Sequence, residues 1–410
     1  MIQQYFESLE SGLQAKIMAQ PESPNPRKKY ALELARLGKR LYSGSDRVAW
    51  CGVAAPFDLL NAMGVTSCFV EFIGAMLSSM GSAGPFLEEA EHAGYGADAC
   101  GYHRSVTGAA MKGMMPVPGF LIATTCPCTG GLGVLENLSQ MFDRDLFVLQ
   151  VPQEETKESV RYLADQIREM TRFVADHTGE PIDEDRVRGA MDATNRAREA
   201  MEDVYRLARR VPSPVNGRDL RNFGIVMALF LGTESAVEIS HAYREEFAAR
   251  VERGESGVPG ERFRLMWLQN RIQFKHPLIA LLEEDYQAAV VSDELNHITW
   301  DPIDLDDPYA GIARRAISIP FNGPIEHRVK HLQHLAEIYR IDGALNPCHW
   351  GCRQGTGARG IVAEGLKEIG VPVLNLEVDC VDARNFSEGQ LRTRIEAFME
   401  LLESRNATRH

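Results

Sequence analysis

The feature that most restricts the fold is a recurring order: a short apolar run, a turn carrying glycine and cysteine, then a helix-like segment. In Asn346-Pro347-Cys348-His349-Trp350-Gly351-Cys352-Arg353 the turn follows the apolar run 341–345 and precedes a helical stretch over 356–369. Thr124-Thr125-Cys126-Pro127-Cys128-Thr129-Gly130-Gly131 has the same look after the strand-like 119–123. Ala99-Cys100-Gly101-Tyr102-His103-Arg104 is a third stretch of this kind. Strand–helix–strand order implies a parallel sheet. Ligands in open α/β sheets gather where strands end and helices begin. The three cysteine loops are therefore expected to converge.

The alternation divides the chain. Residues 1–47 read as an N-terminal helical arm with a Pro-rich break at 21–26. Residues 48–153 read as a first α/β domain, with strands over 48–53, 65–69, 119–123 and 146–151. From 154 to 260 strand-like runs vanish and charge rises. This helical bridge is expected to hold helices over 156–177, 183–210, 218–230 and 233–253, jointed at Pro181, Pro212 and Pro214. It ends in a flexible Gly-rich linker, 254–260. Residues 261–410 form a second α/β domain, with strands over 263–267, 288–291, 341–345 and 371–376. A chain of 410 residues is too long for one ordinary core, in keeping with this division.

A net charge of −13 argues against a nucleic-acid binder, which shows a basic face. No apolar run reaches the roughly 18 residues of a membrane span. The opening Met1-Ile2-Gln3-Gln4-Tyr5-Phe6-Glu7 lacks the basic-then-apolar order of a signal peptide. The chain reads as cytoplasmic, where cysteines stay reduced and clustered ones lean towards metal or catalysis.

Eight cysteines are present. Cys51, Cys68 and Cys380 lie in or beside strand-like runs and read as small apolar core residues. The three loops read as holding an iron–sulfur cluster; Cys100, Cys128 and Cys352 lean towards a ligand role, and Cys126 and Cys348 are the ambiguous partners in their pairs. Three thiolates on a cubane leave one iron open to a substrate oxygen, water or sulfide. The C-x-C and C-x-x-x-C spacings fit a zinc site equally, with His103 or His349 as a fourth ligand. By default His349 is a satisfied, partly buried histidine. Glu71 is a candidate acid or base, or a helix cap, and His103 a candidate proton donor. Arg104 and Arg353 either neutralise a cluster or pair with carboxylates.

Taken together, several stretches resemble the 2-hydroxyacyl-CoA dehydratase and benzoyl-CoA reductase subunits. They are Cys51-Gly52-Val53-Ala54-Ala55-Pro56-Phe57-Asp58-Leu59-Leu60-Asn61-Ala62-Met63-Gly64, the Cys100 loop, the Cys128 loop ending Leu135-Glu136-Asn137-Leu138, the His349-Trp350-Gly351-Cys352-Arg353 turn, and Glu377-Val378-Asp379-Cys380-Val381-Asp382-Ala383-Arg384. The resemblance implies two tandem Rossmann- or flavodoxin-like domains with helical additions. It implies a [4Fe-4S] cluster held by Cys100, Cys128 and Cys352. The extra Cys126 and Cys348 depart from the usual pattern and leave room for a double-cubane cluster. An acyl-CoA substrate, a homologous second subunit or a homodimer, and an ATP-dependent iron–sulfur activator are also implied. In the dehydratases the thioester carbonyl is thought to meet the open iron, and one electron gives a ketyl radical that expels the 2-hydroxyl group. A hydroxyl often lies near that site; here only Thr66 and Ser67 are close in sequence. A cluster protein of the same fold without thioester chemistry, and a zinc protein with no redox role, are the rival readings.

Overall fold

The computed structural model describes residues 2–21, 23–221 and 223–407. Glu22 of the Pro-rich break and Asn222 of the expected 218–230 helix lie outside them. Eight strands are present among these residues: β1 (Val48–Cys51), β2 (Thr66–Phe69), β3 (Phe120–Thr124), β4 (Leu146–Leu149), β5 (Phe263–Trp267), β6 (Ala288–Asp293), β7 (Gly343–His349) and β8 (Val373–Val378). They form two four-stranded parallel sheets, ordered β2-β1-β3-β4 and β6-β5-β7-β8. The two orders are the same topology used twice. In each, the strand order reverses between the first and third strands in sequence, which is where a crevice opens at the carboxyl ends.

Every residue of β1, β3, β5, β6 and β7 is buried. Such continuous burial is the mark of parallel strands covered by helices on both faces. Those of the first half are α1 (Ile2–Met18), α2 (Pro26–Leu41), α3 (Phe57–Ala62), α4 (Val70–Ser79), α5 (Gly84–His92), α6 (Gly101–Met111) and α7 (Thr129–Phe142). Between the two sheets in chain order come α8 (Lys157–Thr178), α9 (Glu184–Ala208), α10 (Phe223–Met227) and α11 (Glu234–Glu252). Thr156, Asp183 and Thr233 cap α8, α9 and α11 through side-chain oxygens that accept backbone N–H bonds, and Gly179 ends α8 at φ 72°. The second half adds α12 (Leu278–Ala280), a π turn (Leu281–Asp285), α13 (Pro308–Ile317), α14 (Ile325–Tyr339), α15 (Arg353–Thr356), α16 (Arg359–Glu368) and α17 (Glu388–Ala407).

Three local expectations need correction. The helix expected over 218–230 shrinks to α10. Asn216 and Asp219 turn the chain before it through side-chain bonds to backbone N–H groups, and Gly224 lies against the Asn296 backbone. The expected linker 254–260 is tied down: Val258 is buried and the Gly257 N–H donates to Ser213 O at 2.7 Å. Finally, β7 runs four residues past the expected strand end, because 346–349 keep pairing with β8. Cys348 and His349 are thus strand residues rather than turn residues.

Candidate active site

Each of the three proposed cysteine ligands occupies the same local position: Cys100 is the N-cap of α6, Cys128 of α7 and Cys352 of α15. The first N–H groups of a helix lack intrahelical partners, so a sulfur at the cap faces partial positive charge. At Cys128 the Gly131 N–H donates to Sγ at 3.3 Å. The backbone N–H groups two and three residues on favour the thiolate at all three sites: Tyr102 and His103, Gly130 and Gly131, Gln354 and Gly355. Burial outweighs them. It pushes Cys100 well above the usual thiol range, Cys128 up to about 11, and Cys352 upward. A thiolate in such a setting needs a metal or another strong cation beside it.

Cys128 and Cys352 follow corresponding strands, β3 and β7, at the crevice of each sheet. Cys100 comes from the β2 side through α4 and α5. Direct contacts tie the three loops together. Gly351 sits at φ +74°, and a Cβ there would run into the Cys100 and Ala99 backbone. Only glycine combines that conformation with so close an approach. Gln354 Nε2 donates to Pro127 O at 2.6 Å, joining the Cys352 turn to the Cys128 loop. Cys100, Cys128 and Cys352 line one cavity of about 1400 Å³; the other five cysteines do not. All five are buried. The alternates differ from their partners for simple reasons. Cys126 is buried in the hydrophobic core, and burial lifts its thiol to about 12. Cys348 lies within β7, its Sγ 3.6 Å from Asn375 Oδ1.

His349 is fully buried rather than partly so. Its Nδ1 accepts the Cys380 N–H at 2.9 Å, which leaves the ring proton on Nε2, 3.2 Å from Cys100 Sγ. Burial lowers its pKa to about 4, so the ring is neutral at physiological pH. It donates towards sulfur, as a partner of a metal-bound thiolate should. Arg104 takes the second of its two expected roles. It is buried and pairs with Glu91, Asp379 (3.1 Å) and Asp382 (3.4 Å). Asp379 in turn accepts the Val381 and Asp382 N–H groups, and Gly101 has no Cβ to obstruct it. Arg353 lines the cavity and is exposed.

Glu71, in the first turn of α4, caps nothing. Its Oε1 lies 3.4 Å from His103 Nε2, and its buried Oε2 has no hydrogen-bond partner among the described residues. Both side chains line the cavity. From Phe72, beside Glu71, the wall continues edge to face through Phe69 (5.9 Å) to Phe57 (6.1 Å). Ala54 and Ala55 also line it, whereas Thr66 and Ser67 belong to β2 and do not. Asp379 and the sulfur-directed role of His349 were not read from sequence. The acids crowded into 377–382 were the available signal for the first, and no local signal marked the second.

The residues present fit an iron–sulfur cluster. Three soft donors line one cavity, glycines at 130, 131 and 351 flank them, and N–H groups converge on the sulfurs. Among the described residues no group of three or more His, Cys, Asp or Glu is gathered closely enough for a single metal ion.

Residues 52–402 match the family model of the 2-hydroxyglutaryl-CoA dehydratase D-component. The chain belongs to that family. It is 24% identical over 377 residues to the alpha chain of (R)-phenyllactyl-CoA dehydratase from Clostridium sporogenes, covering 87% of this chain and 90% of that one. The alpha chain of lactoyl-CoA dehydratase from Anaerotignum propionicum is 24% identical over 389 residues, 88% and 92% of the two chains. A benzoyl-CoA reductase component of Thauera aromatica is 24% identical over 357 residues, 79% and 81% of the two. These relatives thus include subunits named for dehydratases and for a reductase. No helix among the described residues is long and apolar enough to cross a membrane.

Proposed function

We propose that this chain is the cluster-bearing subunit of a cytoplasmic dehydratase or dearomatising reductase acting on a CoA thioester, with Cys100, Cys128 and Cys352 holding a [4Fe-4S] cluster. The observation that carries the reading is the threefold recurrence of a cysteine at a helix N-cap lining a single cavity. When bound, the cluster supplies low-potential one-electron chemistry and an iron with a free coordination position.

The chain's own residues supply the rest. Backbone N–H groups and His349 Nε2–H neutralise charge on the sulfurs. Glu71 Oε1 and His103 Nε2 form a proton-exchanging pair on the wall beside Cys128. The Phe57–Phe69–Phe72 wall offers an apolar surface to the acyl group and keeps water from it. The partners in this reading are a homologous second subunit or a second copy, and an ATP-dependent activator that delivers the electron.

The cavity beside the thiols favours substrate chemistry over a protein that only relays electrons. Anaerobic reconstitution, followed by iron and sulfide analysis, tests the cluster. About four irons and four sulfides per chain are expected for a cubane, and stoichiometric zinc with no sulfide would overturn the reading. Turnover of acyl-CoA substrates with partner subunit, activator and ATP separates an enzyme from an electron carrier.

A further inference from the structure

A second hollow, of about 300 Å³, adjoins the main cavity; Arg221 and Arg271 line both. Lys275, Arg218 and His276 line the hollow as well. Its positive charge is only partly compensated. Arg271 Nε is paired with Asp293 Oδ2 at 2.5 Å, and Arg218 lies 3.8 Å from Glu284. Glu283 accepts the Gly217 N–H at the same rim. Arg221 donates to the Ile272 and Gln273 carbonyls but has no carboxylate partner among the described residues, and Lys275 has no ion pair there. His276 is neutral, its pKa lowered to about 4 by burial and by the two guanidiniums. In a chain of net charge −13, a hollow that opens from a cavity and whose cations outnumber the carboxylates beside them marks the place of an anion.

The route between hollow and thiols suits a neutral arm. After β5 the chain runs through Gln269 and Asn270 to Arg271, all on the cavity wall. The Asn270 side-chain amide has no hydrogen bond among the described residues, and Gln269 Oε1 is unpartnered. Tyr102, two residues from Cys100, donates its hydroxyl to Arg271 O at 3.3 Å, so this loop lies directly on the helix that Cys100 caps. The cavity lining thus passes along the chain from the neutral amides of Gln269 and Asn270 to the Arg271 guanidinium, and Tyr102 fastens that stretch to the Cys100 helix. A thioester whose amide-bearing arm ends in phosphates has the same order.

We infer that the hollow lined by Arg221, Arg271 and Lys275 takes the phosphate-bearing nucleotide end of the CoA thioester. This assignment rests on the function proposed above. Lys275 and Arg221 then contribute ground-state binding through charge-assisted hydrogen bonds.

Calorimetric titration of the full chain with CoA, pantetheine and ATP tests it. Lys275→Gln, an exposed side chain whose loss leaves the packing intact, should weaken CoA binding about tenfold and leave pantetheine binding unchanged. Arg221→Gln should act in the same direction. Unaltered CoA affinity in both variants would overturn the assignment while leaving the proposed function standing. ATP binding as tight as CoA would overturn it too, by making the hollow a general nucleotide site. If neither CoA nor its thioesters bind the wild-type chain, both readings fall.

Discussion

The Cys128 loop and the Cys352 turn stand at the same place in the same topology, yet they are built differently. Cys128 caps the 14-residue α7, and its own sulfur accepts a cap bond. Cys352 caps the four-residue α15 without one. Its turn is held from outside, by Gly351 pressed on the Cys100 backbone and by Gln354 bonded to Pro127. The first thiol is positioned by its own helix, the second by its neighbours. The loops after the first strand of each sheet differ in the opposite sense. In the first sheet Asp58 of α3 reaches outward, to Arg315 of α13 (two bonds of 2.7 Å) and to Thr194 of α9. In the second, Arg271 closes on Asp293 of its own unit. One unit is internally braced where the other leans across the molecule, so shared topology does not imply shared energetics.

The largest expected effect concerns the thiols. Cys128→Ala and Cys352→Ala should each abolish stable iron and sulfide incorporation, while Cys126→Ala and Cys348→Ala should retain it. Iron and sulfide analysis after anaerobic reconstitution decides this. A full cluster in Cys352→Ala, or its loss in Cys348→Ala, would break the pairing of equivalent positions.

Next come the two buried aspartates. Burial raises the pKa of Asp58, but Arg315, Thr194 and the Leu59 N–H outweigh it and hold the carboxyl below its usual range. At Asp293 burial wins over Arg271 and the pKa is raised. The signs therefore oppose. Asp58 contributes stability that is full above about pH 4 and is lost as pH falls through its lowered folded value. Asp293 loses part of its contribution as pH rises from about 4 through its raised folded value. Asp58→Asn should cost about 3–5 kcal/mol at neutral pH, because it strands Arg315. The gap between wild type and Asp58→Asn should shrink in acid, while that for Asp293→Asn should widen. Denaturant titrations at neutral and acidic pH measure both; parallel slopes would refute the contrast.

Gly351→Ala should destabilise by about 2–4 kcal/mol, from left-handed backbone strain added to overlap with the Cys100 backbone. The melting temperature should fall, and the Cys352 turn should loosen more than the Cys128 loop in hydrogen exchange. The smallest effects belong to Gly133 of α7 and Gly360 of α16, exposed helical glycines with open space where a Cβ would go. Alanine at either should stabilise by about 0.4–1 kcal/mol. A loss of stability at one alone would show that the helix following its cysteine is less regular than its counterpart.

Much of this was legible from the chain alone. Continuous apolar runs bounded by glycine and proline marked the strands, because parallel strands bury both faces. The loss of strand-like runs, the rise in charge and the prolines at 181, 212 and 214 marked the helices of the bridge. Glycine-bearing turns marked three cysteine loops, and the family resemblance singled out Cys100, Cys128 and Cys352 within them. Less was legible wherever pairing at a distance decided the outcome. Residues 346–349 belong to β7 because β8 is there to receive their hydrogen bonds, and that turned Cys348 inward. The 218–230 segment carries helical residues, but Asx turns and contact with Asn296 leave it one short helix.

The amino-acid order by itself determined the layers of this protein and the three cysteine-bearing turns, because periodicity and turn chemistry act over a few residues. Only the tertiary structure decided that three helix N-caps share one cavity, that His349 aims its ring N–H at the Cys100 sulfur, that Glu71 meets His103, and that Arg221 and Lys275 border a hollow beside them. Those relations join residues tens to hundreds of positions apart. They depend on how two sheets pack together, which local sequence pattern does not encode.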